Sequence, residues 1–221
     1  MSCEKVVCMK NKLRQILGFG LLVLCATVGR YLFVSKGMQP FPNFEVMTVI
    51  AFIGIMVLDV RIAMLIPLVG MIVSDILIGN PIFVGAKMNQ IVMFTYSGFA
   101  FVALAGIFVG ERIKPYVSSL RSRSVFCMAG AGALLVLLYD IWTNLGWWYL
   151  MYPHTGESLL TVYTLGISFM VYHLISGITT FICIGIPVIL YSYRRQPNLI
   201  LKKFIGGIWK RSVSSASLPR S

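Results

Sequence analysis

The chain has 221 residues, of which 58% are hydrophobic and only 12% charged, with a mean hydropathy of +0.85 and a formal net charge of +12. That balance excludes an ordinary soluble domain and points to an integral membrane protein. The positive charge alone says less, because in a membrane protein the distribution of charge matters more than its sum.

A span needs about 20 mainly apolar residues to cross a hydrocarbon core of roughly 30 Å. On that criterion the sequence predicts an all-α integral membrane protein. Six transmembrane helices form one bundle over residues 15–192, between a basic N-terminal segment (1–14) and a basic tail (193–221). The first span, 15–34, begins like a secretory leader, with Lys10 to Arg14 ahead of an apolar body. Leu24 before Cys25 is a poor cleavage site, however, and the apolar run continues to Val34, so the span is expected to be retained. The breaker-rich loop from Ser35 to Glu45 leads into an apolar run from Val46 to Ile78, too long for one span. Asp59-Val60-Arg61 divides it into spans 43–58 and 62–78, and Pro67 is expected to bend or open the second.

Span four covers 91–109, where Gly106-x-x-x-Gly110 marks a helix contact. Span five, 125–149, opens with a smooth patch, Ala129 to Ala133, that a neighbouring helix can press against. Span six, 160–191, exceeds a perpendicular crossing and carries Pro187 in its inner part. Beyond it, Ile200, Phe204 and Ile208 recur at helical spacing among basic residues. That pattern predicts a short helix on the membrane surface, followed by a disordered Ser-rich end.

Sixteen of the nineteen lysines and arginines fall in segments that share one side of the membrane if both termini are cytoplasmic; only Arg30, Lys36 and Lys87 fall on the other. The bias predicts a multi-pass cell-membrane protein with both termini inside. It also makes anionic lipid, rather than nucleic acid, the partner of the basic tail. The five cysteines form no Cys-x-x-Cys pair and are read as small apolar fillers. No His-Glu-x-x-His, Gly-x-Ser-x-Gly or phosphate-binding loop is present, and only two histidines are available as bases, so neither an enzyme nor a cofactor is expected. Active transport would need an ATPase on another subunit.

The polar groups of the spans cluster. Asp75 and Asp140 each lie about 20 Å from the inner starts of their spans, at roughly 1.5 Å per residue. Asn144 stands one turn above Asp140 on the same face, and Trp147 extends that face. Asn43 and Glu45 enter from the same outer side, and His173 lies nearer mid-membrane. Each has a plain reading as well. Asp75 can pair internally with Arg30, Trp147 and its aromatic neighbours can form an interfacial belt, and His173 can be a packing residue. Acids and amides from several spans at one depth, beside aromatic rings, nevertheless suit a pocket for a small organic ligand.

Three motifs carry a resemblance: Pro42-Asn43-Phe44-Glu45, Ser74-Asp75-Ile76-Leu77-Ile78-Gly79, and Thr143-Asn144-Leu145-Gly146-Trp147-Trp148 with Met151-Tyr152-Pro153. In order and spacing they resemble a branch of the substrate-binding S components of energy-coupling factor (ECF) transporters, over about Gly29 to Tyr191. The resemblance implies a six-helix protein that captures a vitamin or related micronutrient in an outer-facing pocket. It implies, as partners, a transmembrane coupling subunit and paired cytoplasmic ATPases. The pocket lining it implies is Asn43, Glu45, Asp75, Asp140, Asn144 and Trp147. Where S components that share a coupling module often carry Ala-x-x-x-Ala in the first span, this chain has Cys25-x-x-x-Gly29. The rival reading is a stand-alone channel or facilitator for a small polar solute or ion, with Asp75, Asp140 and His173 lining its path.

Overall fold

The computed structural model describes residues 3–42, 44, 46–84, 87–117 and 121–194. Helix α1 (Cys3–Arg30) continues through a π-helical turn, Tyr31–Ser35. Then come α2 (Met47–Val57), α3 (Val60–Ala63) and α4 (Leu65–Ile78). A two-residue antiparallel ladder, β1 (Phe83–Val84) with β2 (Lys87–Met88), leads into α5 (Gln90–Ile113). The chain ends in α6 (Ser122–Met151), α7 (Gly156–Thr180), a second π-helical stretch, Phe181–Gly185, and α8 (Ile186–Arg194). Five stretches are long and apolar enough to cross a membrane: Asn11–Ser35, Val60–Ile78, Gln90–Ile113, Ser122–Met151 and Gly156–Arg194. We call the end of the bundle carrying Ser35, Ile78 and Met151 the upper end.

The sixth expected span, 43–58, takes a different form. Helix α2 has 11 residues, so it rises only about 16 Å, roughly half a hydrocarbon core. Its residues from Met47 to Met56 are all buried. A helix apolar on every face belongs inside a protein rather than against lipid on one side, and α2 packs on α1, α4, α5, α6, α7 and α8. It is the central post of the bundle. Around it α1 packs on α4, α4 on α5, α5 on α6 and α6 on α7.

Small residues set the closest contacts with this post and between the long helices. Gly106 and Gly110 of α5 face α2; a β-carbon at either would lie 2.9 Å from Ile55 Cδ1 or 3.0 Å from Met56 Sδ. The patch on α6 meets α7 backbone to backbone. A β-carbon on Gly132 would stand 2.7 Å from the carbonyl oxygen of Gly177. Cys25 and Cys183, read from the sequence as fillers, are exposed on the outside of the bundle.

Proline and caps explain the breaks. Pro67 has no N–H to offer the carbonyl of Ala63, and the helix opens one turn earlier, at Met64, between α3 and α4. Pro187 follows the π-helical stretch in the same way, with Ile186 N–H reaching back to the Phe181 carbonyl. Asp59 caps α3 by accepting from Arg61 N–H at 3.0 Å, and its own N–H donates to Gln15 Oε1 at 2.8 Å. Gly79, at φ 83°, ends α4 in the left-handed conformation that glycine adopts without penalty. The tail helix expected at Ile200, Phe204 and Ile208 lies outside the described residues.

Candidate functional site

The loop after Ser35 does not stay at the upper end. Val46 packs directly against Gly29 of α1, six residues before Ser35, so the chain descends about 9 Å into the bundle before α2 begins. The aromatic rings of this segment join one end of the helix ring to the other. Phe33 of the first π-turn meets Phe44 at 5.1 Å, Phe44 meets Phe41 at 5.3 Å, and Phe41 meets Tyr172 of α7 at 6.4 Å between centroids.

A cavity of about 330 Å³ lies above the start of α2, within the range of small-molecule sites. Arg30 and Phe33 wall it from α1 and its π-turn, and Gln39 and Phe44 from the descending loop. Met47 and Met71 close it below; Thr95 and Phe99 face it from α5. The remaining wall is α6 and α7: Tyr139, Asp140, Thr143 and Asn144 on the former, Phe169, Met170 and His173 on the latter.

Asp140 is the central polar group. The residue is only 8% exposed, its Oδ1 lies 2.7 Å from His173 Nδ1, and its Oδ2 is buried without a hydrogen-bond partner. Native proteins seldom leave a buried carboxylate oxygen unpaired. One turn above, Asn144 rests its amide against Gly166 of α7, at 3.2 Å from where a β-carbon would stand. Among the described residues that amide has no hydrogen-bond partner. Thr143 instead turns its hydroxyl back to the carbonyls of Tyr139 and Asp140.

Asp75 occupies another position. It is 3% exposed and does not line the cavity. Its Oδ1 accepts from Arg30 Nη1 at 2.6 Å and Asn80 Nδ2 at 2.9 Å, and its Oδ2 accepts from the Tyr96 hydroxyl at 2.8 Å. Arg30 Nη1 also donates to Ser74 Oγ at 2.8 Å. Burial makes an unpaired carboxylate expensive, and this network answers it with three donors. The acid expected to touch ligand is the anchor of the arginine that does line the cavity.

Trp147 is likewise displaced from its expected role. It is 44% exposed and absent from the cavity wall, although helical periodicity puts it on the face of Asp140. It stands one turn higher than Asn144 on α6. Two other tryptophans of α6 are structural: Trp142 Nε1 donates to Ser97 Oγ and Trp148 Nε1 to Ser158 Oγ, each at 2.9 Å. Asn43 and Glu45 lie outside the described residues, on either side of the cavity residue Phe44.

Of the expected lining, then, Asp140 and Asn144 meet at the cavity, with His173 beside them. Sequence reasoning assigned no ligand role to Arg30, Phe99, Tyr139 or Phe169. A signal existed for Arg30: a lone guanidinium inside an apolar span calls for a partner or a polar cavity. The rings of Phe99, Tyr139 and Phe169 carried none, because aromatic residues are common on every face of these helices.

Residues 10–196 match the family described as a family of unknown function, DUF6580, and the chain belongs to that family. No curated protein and no solved structure matches it.

Proposed function

We propose that this DUF6580 chain is the substrate-binding membrane subunit of an ECF-type importer. It captures a vitamin or related micronutrient from outside and delivers it inward with a transmembrane coupling subunit and paired cytoplasmic ATPases. The upper end faces outward and both termini are cytoplasmic, in the cell membrane. The descending loop and α2 together carry the chain from top to bottom, so it still crosses six times, with one crossing made half by loop and half by helix. The cationic segments then remain inside, as the charge bias requires.

The observation that carries the reading is the cavity above α2, whose wall includes Asp140 with a buried, unpartnered carboxylate oxygen. Its lining comes from the first upper loop and the upper halves of later helices, the distribution that the three sequence motifs imply. Closure between α1 and α7 rests on a string of aromatic rings in a loop rather than on helix packing. Such a closure can open with little disruption of the bundle, which suits capture from one side. Below the cavity, α2 fills the axis of the bundle with buried apolar side chains. A solute cannot pass through that core without a rearrangement, which favours a partner-driven carrier over an open channel.

The test is native mass spectrometry of the protein released in mild detergent, beside Asp140→Asn and Asn144→Ala variants. A co-purified small molecule in the native protein that is lost in the variants is the expected result. Empty protein in every sample, with solute flux through liposomes that contain this chain alone, would overturn the reading in favour of a facilitator.

A further inference from the structure

Resting on the capture reading, we infer that the captured compound is amphoteric. It places an N–H donor on Asp140 Oδ2 and a carboxylate-like acceptor on the unused N–H groups of Arg30.

The two ends of the cavity ask for opposite chemistry. At α6, His173 satisfies one oxygen of Asp140 and leaves the other buried and unpartnered. A carboxylate accepts only, so what completes it must donate. At α1, both assigned bonds of Arg30 come from Nη1, to Ser74 and Asp75. A guanidinium has five N–H groups, so among the described residues those on Nε and Nη2 remain, on a side chain 21% exposed that lines the cavity. That planar edge matches a carboxylate in two parallel bonds, which an ammonium cannot do.

Neither group can satisfy the other, because each is held by its own side of the bundle. Arg30 is fixed to α4 through Asp75, and Asp75 is itself fixed by Asn80 and Tyr96. Asp140 is fixed to α7 through His173. Helix α1 packs on α4 and α2, and α6 on α5 and α7, with the cavity between them. A compound with positive charge alone would meet the guanidinium; one with negative charge alone would meet the carboxylate. Only a compound bearing both groups completes both ends. Phe99 and Tyr139, in contact with ring centroids 4.6 Å apart, together supply an aromatic wall against which a flat body can lie.

The experiment uses three probes that share one ring: 4-(aminomethyl)benzoate, benzoate and benzylamine, titrated against the full chain in lipid nanodiscs with thermal unfolding as readout. The exact mass and fragmentation of any co-purified compound are determined in parallel. The amphoteric probe should bind at least tenfold more tightly than either singly charged probe. Asp140→Asn should bring it down to the level of benzoate, and Arg30→Lys, which keeps a cation beside Asp75 but loses the fork, to the level of benzylamine. Unfolding without probe shows whether each variant is folded. If Arg30→Lys is not, Asp140→Asn alone decides the donor end, and the benzylamine-to-amphoteric ratio decides the acceptor end. Equal binding of benzylamine and the amphoteric probe, or a retained compound without an acidic group or without an N–H donor, would overturn the inference and leave capture standing. No probe binding and no retained compound would overturn both. If no probe binds but the retained compound bears both groups, the inference stands and the probes are too small for the cavity.

Discussion

Substituting Gly132 by alanine probes a backbone-to-backbone contact between two long helices. The new methyl would stand 2.7 Å from the Gly177 carbonyl oxygen and 3.0 Å from Phe181 Cγ, inside the 3.4 Å at which ordinary contact begins. The nearest atom is backbone, so relief requires α6 and α7 to separate rather than one side chain to turn. Overpacking of this kind costs about 1–3 kcal/mol, against a gain of roughly 0.5–1 kcal/mol from replacing a mid-helix glycine. The net loss spans about 0–2.5 kcal/mol, centred a little above 1 kcal/mol. Gly130, two residues earlier, has nothing within 4 Å of its hypothetical β-carbon, so Gly130→Ala should keep only the gain of roughly 0.5–1 kcal/mol. Denaturant unfolding in one detergent, followed by tryptophan fluorescence, should therefore move the two midpoints in opposite directions. If Gly132→Ala proves as stable as the native chain, or Gly130→Ala falls with it, the close approach of α6 and α7 is refuted.

The Arg30–Asp75 pair gives a second prediction. Arg30→Met should destabilise by about 3–5 kcal/mol, because it strands a buried carboxylate, and adding Asp75→Asn should recover part of that loss. Strictly additive losses in the same unfolding assay would mean that the two do not interact. At the start of α5, Asn89 accepts from Ile91 N–H at 3.2 Å. Asn89→Ala should cost about 1 kcal/mol and speed exchange of the Ile91 amide, whereas unchanged exchange would show that this cap is not formed. For the cavity itself, Trp147→Ala should leave retention of a co-purified compound intact while Phe99→Ala releases it, as read by native mass spectrometry. The reverse pattern would place the site at the level of Trp147 instead.

Much of the fold was legible because the membrane imposes a one-dimensional rule. Length and hydropathy located five long spans, and the glycines of α5 and α6 marked helix contacts without saying with which neighbour. The same rule could not give the form of residues 43–58, where the helix is only 11 residues long. An apolar run there fits a span, yet α2 is apolar because other helices surround it, and hydropathy does not separate burial in protein from burial in lipid. Periodicity showed a similar limit at the site. It put Asp140, Asn144 and Trp147 on one face, but a face becomes a cavity wall only over the height that neighbouring elements enclose.

The sequence by itself determined the membrane class, the long helices, their proline and glycine interruptions, and the band of depth that holds most of the polar groups. Each follows from residues judged singly or against near neighbours in the chain. Only the tertiary structure decided that Asp75 holds Arg30, that His173 takes one oxygen of Asp140 and leaves the other buried without a partner, and that α2 is a central post. Those outcomes depend on the rotation and relative height of helices far apart in sequence. Many side-chain pairings satisfy the same hydropathy pattern, and packing around α2 selects one of them.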